Sequence, residues 1–432
     1  MKKSKLALLF TLSSLLVACG GSGGSSTPSS ASSVAQSSSS SSSVTSSPAS
    51  SASPTSSSLS SSSSSSVSSG GLACDIVNQA QGFASVDDDD NPYAVTGGAD
   101  VGEGNYEITV TDGVALRNAV YSSGSPYRDK PLTIYIEGLI TWENSNNADI
   151  RIERSNVSII GRGDDAGFEG VGIELKPKNS STPVENIIIR NLKMRLVLQT
   201  RGAGDIISLD GRNGPVRNIW IDHNELHNSQ FTEGCTTEAC HKDHYDELVS
   251  GRADVSNITI SYNYLHDSWK TSLWGSSDNP EEDVGRRVTF HHNYWDNVNS
   301  RLPLYRYGIL HMFNNYYHQV TGSGINVRMG ARALIDGNVF EIVKNPIVSI
   351  DSPELGYWTV GDDEFANSFA GVTVSPGSCT SGTPPCYGAH AESTDASPYL
   401  PPYDYSDVLL PTADTKEHVM ANAGVGKIDE CL

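Results

Sequence analysis

Along much of this chain apolar and polar residues alternate in short runs, and several runs stop at an asparagine. The clearest are Ile219-Trp220-Ile221-Asp222-His223-Asn224, Ile258-Thr259-Ile260-Ser261-Tyr262-Asn263 and Val288-Thr289-Phe290-His291-His292-Asn293. A period of two in β-branched and aromatic residues predicts strands with one face buried and the other open. Comparable runs occupy 132–138, 156–161 and 186–192 before them, and 310–315 and 333–338 after them. The steps between Asn224, Asn263, Asn293, Asn315 and Asn338 are 39, 30, 22 and 23 residues, which suits stacked coils whose earlier members carry the longer loops. The pattern predicts an all-β fold, a single-stranded right-handed parallel β-helix. Asparagines at its turns would stack and hydrogen-bond from coil to coil. A propeller or a sandwich would need hairpin signals such as Asn-Gly between strands, and these are scarce.

The two ends of the repeat read differently. Asp112 followed by Val114-Ala115-Leu116-Arg117-Asn118-Ala119-Val120 predicts an N-capped amphipathic helix, in the place where a capping helix would close the open end of the coil. Beyond Pro346 the alternation dissolves into Tyr, Pro, Ser and Asp, and loops wrapped on the coil are expected there.

Composition changes the picture at the N-terminus. Lys2, Lys3 and Lys5 precede an apolar run over 6–16, and Leu16-Val17-Ala18-Cys19 closes it, which resembles a bacterial lipoprotein signal with lipid on Cys19. Residues 1–19 are therefore expected to be a signal peptide, 20–72 a serine-rich disordered linker that buries too little apolar surface to fold, and 73–432 one domain. No other stretch reaches the ~20 apolar residues of a membrane span. Membrane contact is thus expected through the lipid alone, on an exported protein at the outer membrane facing the exterior, or a secreted one.

Six cysteines remain, an even number in an exported chain, which points to disulfides. Their short separations pair Cys235 with Cys240 and Cys379 with Cys386, leaving Cys74 for Cys431. His241 and His244 would also allow a zinc site with the first pair, which the oxidising compartment disfavours. The net charge of −21 excludes nucleic acid as a partner, because a phosphate backbone needs a basic face. A polyanionic substrate stays compatible if basic residues cluster locally or a divalent cation bridges two sets of carboxylates.

Basic residues do cluster between 219 and 315. Ile219 to His223, Ile258 to Asn263, Lys270, His291-His292-Asn293-Tyr294, Arg301-Leu302-Pro303-Leu304 with Arg306, and His311 with Asn314-Asn315-Tyr316 resemble the motif series of the pectate lyase/pectin lyase superfamily, polysaccharide lyase family 1. Asn326-Val327-Arg328 and Ala423-Gly424-Val425-Gly426-Lys427 extend the resemblance, which covers the chain from about Cys74 to its end. It implies a parallel β-helix that cleaves α-1,4-linked polygalacturonate by β-elimination, usually with calcium. A monomer with polygalacturonate or pectin as partner is expected.

By this resemblance Arg301 would be the base that takes the C5 proton, with Lys270 and Arg306 holding the uronate carboxylate. Calcium, Lys270 and Arg306 around Arg301 would form a cationic setting that lowers its pKa. The positions matching the family's calcium ligands are Ala203, Asp205, Asp246 and Ser250, of which Asp205 and Asp246 alone are acidic. Asp243, Glu247 and Asp254 lie near enough in sequence to compensate. Pectin lyases of the superfamily work on methyl-esterified chains without calcium, and Arg252, close to Asp246, would replace the metal in that alternative. A non-catalytic polysaccharide-binding β-helix is the other alternative, and hydrolysis would need paired aspartates that the arginine region lacks. Trp269 and Trp274, flanking Lys270, are the tryptophans best placed to line a sugar groove. Asp222, near the calcium loop, together with His223, His291, His292 and His311, reads as structural.

Overall fold

Parallel strands wind into a coil with three faces, each face a ladder built from successive turns. The computed structural model describes residues 74, 78–121, 124–279, 285–377, 379, 383–388 and 399–432. Cys19 and the serine-rich stretch lie outside the described residues. On the first face Leu132–Thr141, Val157–Glu169 and Val184–Arg190 pair in parallel, and the ladder continues to Arg287–His291, Ile309–Phe313 and Arg332–Asp336. The register superposes Ile134, Ile159, Ile189, Ile221, Ile260, Phe290, Met312 and Ile335, every one fully buried. The period-two alternation is satisfied by this column, which removes one side chain per rung from water.

The second face stacks Lys193–Arg195, Glu225–His227, Tyr264–His266, Tyr294–Val298, Tyr316–Val320 and Val339–Val343. The third stacks Ile150–Ile152, Ile173–Leu175, residues 207–209, 249–251, Ser272–Trp274, Leu304–Arg306, Ile325–Arg328 and Ile347–Ser349. The predicted parallel β-helix is what forms.

Where the first face turns into the second, the asparagines stack as expected. Each side-chain amide donates to the next carbonyl oxygen, Asn224 to Asn263, Asn263 to Asn293 and Asn293 to Asn315 at 3.0 Å, and Asn315 to Asn338 at 2.9 Å. The residue before each asparagine is left-handed, with φ of 50° at His223, 51° at Tyr262, 56° at His292 and 48° at Asn314. A turn that tight leaves backbone groups off the strand ladder, and the asparagine amides supply their partners. Asn293→Ala would strand the Asn263 backbone N–H, which donates to the Asn293 oxygen, and would remove the Asn293 amide from the buried carbonyls of Ile260 and His291. A loss on the order of 3 kcal/mol is expected, since each orphaned buried group costs about 1–3 kcal/mol. Denaturant titration of the folded protein checks it, and a loss under about 1 kcal/mol would mean the ladder is replaceable by water.

The helix after Asp112 spans Gly113–Val120, with the Asp112 carboxylate accepting from Ala115 N at 2.9 Å. Its Leu116, Ala119 and Val120 join the core. All three disulfides carry the expected pairing, and Cys74–Cys431 ties the N-terminal segment to the C-terminus. Two expectations for the C-terminal part were incomplete. The coil continues past Pro346 through Tyr357–Val360 and Ser368–Ala370, and a helix spans Thr412–Asn422. That helix lays Val419 on Tyr316 and Val339, so its apolar side is a minor one that local periodicity does not reveal. Among the described residues no helix is long and apolar enough to cross a membrane.

Candidate active site

The corner where the second face turns into the third collects the charged residues. Backbone bonds chain the turns together here: Ile206 N to Glu247 O at 3.0 Å, Leu248 N to Thr271 O at 2.9 Å, and Ser272 N to Arg301 O at 2.8 Å. Asp205, the pair Asp246-Glu247, Lys270 and Arg301 thus stand on consecutive rungs, about 5 Å apart. Residues 41, 24 and 31 apart in sequence become neighbours because the rungs between them differ only in loop length. They line a cavity of about 190 Å³ together with Ala203, Ser250 and Arg252.

Two acids face into this cavity from the core side. Asp205 is buried and accepts from Ser250 Oγ at 2.6 Å and from Glu247 N at 3.1 Å. Burial, reinforced by the charge of Asp246, pushes its carboxyl up to about 6. Glu247 is 2 % exposed and pairs with Arg301, yet its Oε2 is buried with no hydrogen-bond partner. Burial pushes Glu247 up to about 8, against the pull of Arg301, and the charges of Asp246 and Asp205 push the same way. Asp246 faces outward, 3.2 Å from Lys270 Nζ and 3.3 Å from Gln199 Nε2.

The cations are each held by an acid. Lys270, almost fully buried, also meets the exposed Asp243 at 3.0 Å. Arg306 donates to Asp278 Oδ1 at 2.6 Å and to Gly275 O at 2.9 Å. Arg301 takes a left-handed backbone, φ 68°, which is sparsely populated outside glycine and aims its side chain at Glu247. Burial pulls its pKa down, but Glu247 with Asp246 and Asp205 outweigh this, and the net direction is upward. The expected lowering therefore does not hold in this state, because the charges nearest Arg301 are anionic.

On the neighbouring third-face rung the pKa of Arg328 falls to about 10, through burial and then the charge of Arg306 directly beside it on the ladder. In the sequence it stands only as the last residue of Asn326-Val327-Arg328. The step from Arg306 to Arg328 is 22 residues, the same as from Asn293 to Asn315, and that equality was the available signal.

Other positions depart from expectation. Trp274 is fully buried in the core, so Trp269, half-buried with its indole N–H donated to Gln230 O at 2.6 Å, is the tryptophan of the pair that remains near the corner. Arg252 stands 3.9 Å from Asp205 and 3.9 Å from Asp210 rather than on Asp246. Asp254 is turned away to Arg217, and Glu247 alone of the three candidate compensating acids reaches into the cavity. Asp222 is no neighbour of this corner. It is buried on the first face with Arg190 at 2.8 Å, His223 at 2.7 Å and Ser261 at 2.6 Å.

This geometry has relatives. A family model described as "Pectate lyase" matches residues 135–428. The chain is 40% identical over 337 residues to the pectate trisaccharide-lyase of Bacillus licheniformis, covering 78% of this chain and 86% of the relative. Among solved structures, a pectate lyase from Bacillus sp. N165 in complex with trigalacturonate superposes with a TM-score of 0.65 at 32% identity, covering 81% of this chain and 99% of that one. Pectate lyase C from Erwinia chrysanthemi, solved with Ca2+, superposes with a TM-score of 0.58 at 25% identity, covering 82% of this chain and 97% of that one.

Proposed function

Because this chain belongs to the pectate lyase family of polysaccharide lyases, we propose that it cleaves α-1,4-linked polygalacturonate by calcium-assisted β-elimination at the corner around Arg301. The observation that carries the reading is the stacking of Lys270, Arg301, Arg306 and Arg328 beside Asp205, Asp246 and Glu247 on consecutive turns.

β-Elimination removes the proton on C5 of a uronate and expels the glycosidic oxygen from C4, leaving a C4–C5 double bond. That proton lies beside the C6 carboxylate, where its loss builds a second negative charge. Fixed cations at the carboxylate lower the barrier. Lys270 and Arg306 bind the carboxylate, neutral Arg301 receives the C5 proton on a guanidine nitrogen and becomes a guanidinium, and the departing oxygen is protonated from solvent. A guanidinium ordinarily keeps its proton. Once the charges of Glu247, Asp246 and Asp205 are compensated, the cations Lys270, Arg306 and Arg328 dominate the field around Arg301, which favours its neutral form.

The donor set suits a hard divalent cation. Buried carboxylates pushed above their ordinary range, one with an orphaned oxygen, amount to uncompensated anionic charge. Asp205, Asp246 and Glu247 hold calcium in this proposal. Ser250, expected as a ligand, donates its proton to Asp205 and orients it, which leaves the hydroxyl's lone pairs for the ion, while Ala203 brings no side-chain oxygen. Calcium bound there would supply Lewis acidity and positive charge near the uronate.

Asp243 and Asp278 occupy, on Lys270 and Arg306, the place a uronate carboxylate would take. Asp243 is the more exposed of the two. Asp243→Asn is expected to lower KM for polygalacturonate about two- to fivefold with kcat unchanged, the equivalent of one exposed ion pair. Steady-state kinetics at fixed calcium checks this, and an unchanged or raised KM would rule out competition by Asp243.

One observation favours a second reading. The guanidinium of Arg252 beside Asp205 supplies fixed positive charge, as a metal-free pectin lyase would use. Absorbance of the unsaturated product on polygalacturonate and on highly esterified pectin, each with and without chelator, separates the two. Cleavage of esterified pectin alone, indifferent to chelator, would establish the second. The protein is further proposed to act as a monomer tethered outside the cell by lipid on Cys19 through the linker 20–72.

A further inference from the structure

Away from this corner, the second face brings together two histidines and a glutamate that the elimination chemistry does not use. In Glu225-Leu226-His227 the leucine enters the core and the flanking side chains point outward. Tyr264-Leu265-His266 repeats this on the next rung, with His266 directly opposite His227 and their rings stacked 4.6 Å apart. One ligand atom each from Glu225, His227 and His266 falls within a common span of 4.8 Å.

The ring nitrogens are already sorted. His227 Nδ1 lies 3.1 Å from Asn228 O, and His266 Nδ1 lies 2.7 Å from Asp267 Oδ2. A carbonyl and a carboxylate only accept, so both Nδ1 atoms carry the proton and both Nε2 atoms are left for another partner. His266 Nε2 is buried with no hydrogen-bond partner, and Glu225 Oε1, at 3.6 Å, is too distant to be one. An imidazole that gives its far N–H to a carbonyl or carboxylate is the arrangement that orients a metal ligand.

We propose that Glu225, His227 and His266 form a second metal site, for a late first-row divalent cation such as zinc, cobalt or nickel, distinct from the carboxylate cavity. Two imidazole nitrogens and one carboxylate are the donor class such ions prefer, whereas calcium prefers oxygen alone. Three protein ligands leave the remaining coordination open to water, and the Glu225 side chain is 29 % exposed. The site would clip two rungs that lead into the corner: Asn228, next to His227, donates to Asp246 O at 3.2 Å, and Lys270 lies four residues after His266. Lys193 and Arg195 on the preceding rung oppose the ion's charge, although Arg195 is drawn off by Glu169 at 2.8 Å.

The test uses the folded protein without a histidine tag, stripped by chelator and returned to excess calcium so that the carboxylate cavity is supplied. Titration with Co2+ is expected to give visible absorption bands of nitrogen-ligated cobalt at one equivalent, displaced by Zn2+. His227→Gln and His266→Gln should each abolish the bands, and Asp267→Ala should weaken binding about tenfold by releasing the ring it orients. Asp246→Asn, in the cavity, should leave the bands unchanged. Zn2+ should raise the melting temperature of the parent protein and of Asp246→Asn but not of either histidine variant, which keeps the result readable if one variant is less stable. Absence of the bands with millimolar Co2+, their survival in both histidine variants, or their loss in Asp246→Asn would overturn the proposal. In the first case Glu225, His266 and Asp267 are an electrostatic bridge across the rungs and nothing more.

Discussion

Arg301→Ala is expected to lower kcat on polygalacturonate by roughly a thousandfold, within the range of about 10²–10⁴ that a positioned base contributes. That factor corresponds to about 4 kcal/mol of transition-state stabilisation, at 1.36 kcal/mol per factor of ten. KM should change little, because Lys270 and Arg306 hold the carboxylate in the proposed arrangement. The substitution also removes the partner of Glu247, whose carboxyl is already pushed up to about 8 by burial. Glu247 can then take up a proton instead of standing as an unpaired buried charge, so the fold should survive. Product absorbance at saturating calcium measures the effect, with a melting curve to show that the variant is folded. Arg301→Lys keeps the charge but changes the reach and the acidity, and should also lose most of the rate. A variant within about tenfold of the parent would remove Arg301 from the chemistry and leave the carboxylate-binding cations without a base.

Removing calcium should be nearly as damaging. Chelator is expected to reduce cleavage of polygalacturonate at least a hundredfold, and added calcium to restore it. Binding to the native state also stabilises it, by about 2.7 kcal/mol at a hundred times Kd, so the melting temperature should rise with calcium by several degrees. The sign of the pH dependence follows from the two raised carboxyls. In chelator Asp205 is held up to about 6 and Glu247 to about 8, against ordinary values of 3.8 and 4.5. Between the ordinary and the raised values the native state binds more protons than the unfolded chain, so metal-free stability falls as pH rises from about 4 to about 8. Calcium needs those carboxylates ionised, and its affinity climbs over the same interval. The gap between melting temperatures with and without calcium should therefore widen from pH 5 to pH 9. A gap that narrows, or activity indifferent to chelator on both substrates, would place the metal elsewhere or remove it from the reaction.

The residues for these predictions were not equally visible in the chain itself. Arg301 and Arg306 were found because they share one short stretch, 301–306, and Lys270 because of its place in the order of the motifs. The cavity acid Glu247 could only be grouped with Asp243 and Asp254, which are equally near in sequence. The coil separates them: Glu247 enters the cavity, Asp243 meets Lys270 from solvent, and Asp254 turns to Arg217. Trp274 shows the same limit. A tryptophan four residues after Lys270 reads as a groove residue until the rung register turns it into the core.

Local alternation, the asparagine steps and the cysteine spacing determined the parallel β-helix, its turn ladder and its three disulfides, because each of those signals is carried by residues close together in sequence or repeated at intervals. Only the tertiary structure decided which charge faces which. Rung lengths vary from 22 to 39 residues, so alignment across rungs, on which the Arg301–Glu247 pair and the His227–His266 stack both depend, is fixed by how the loops pack and not by any period the chain displays.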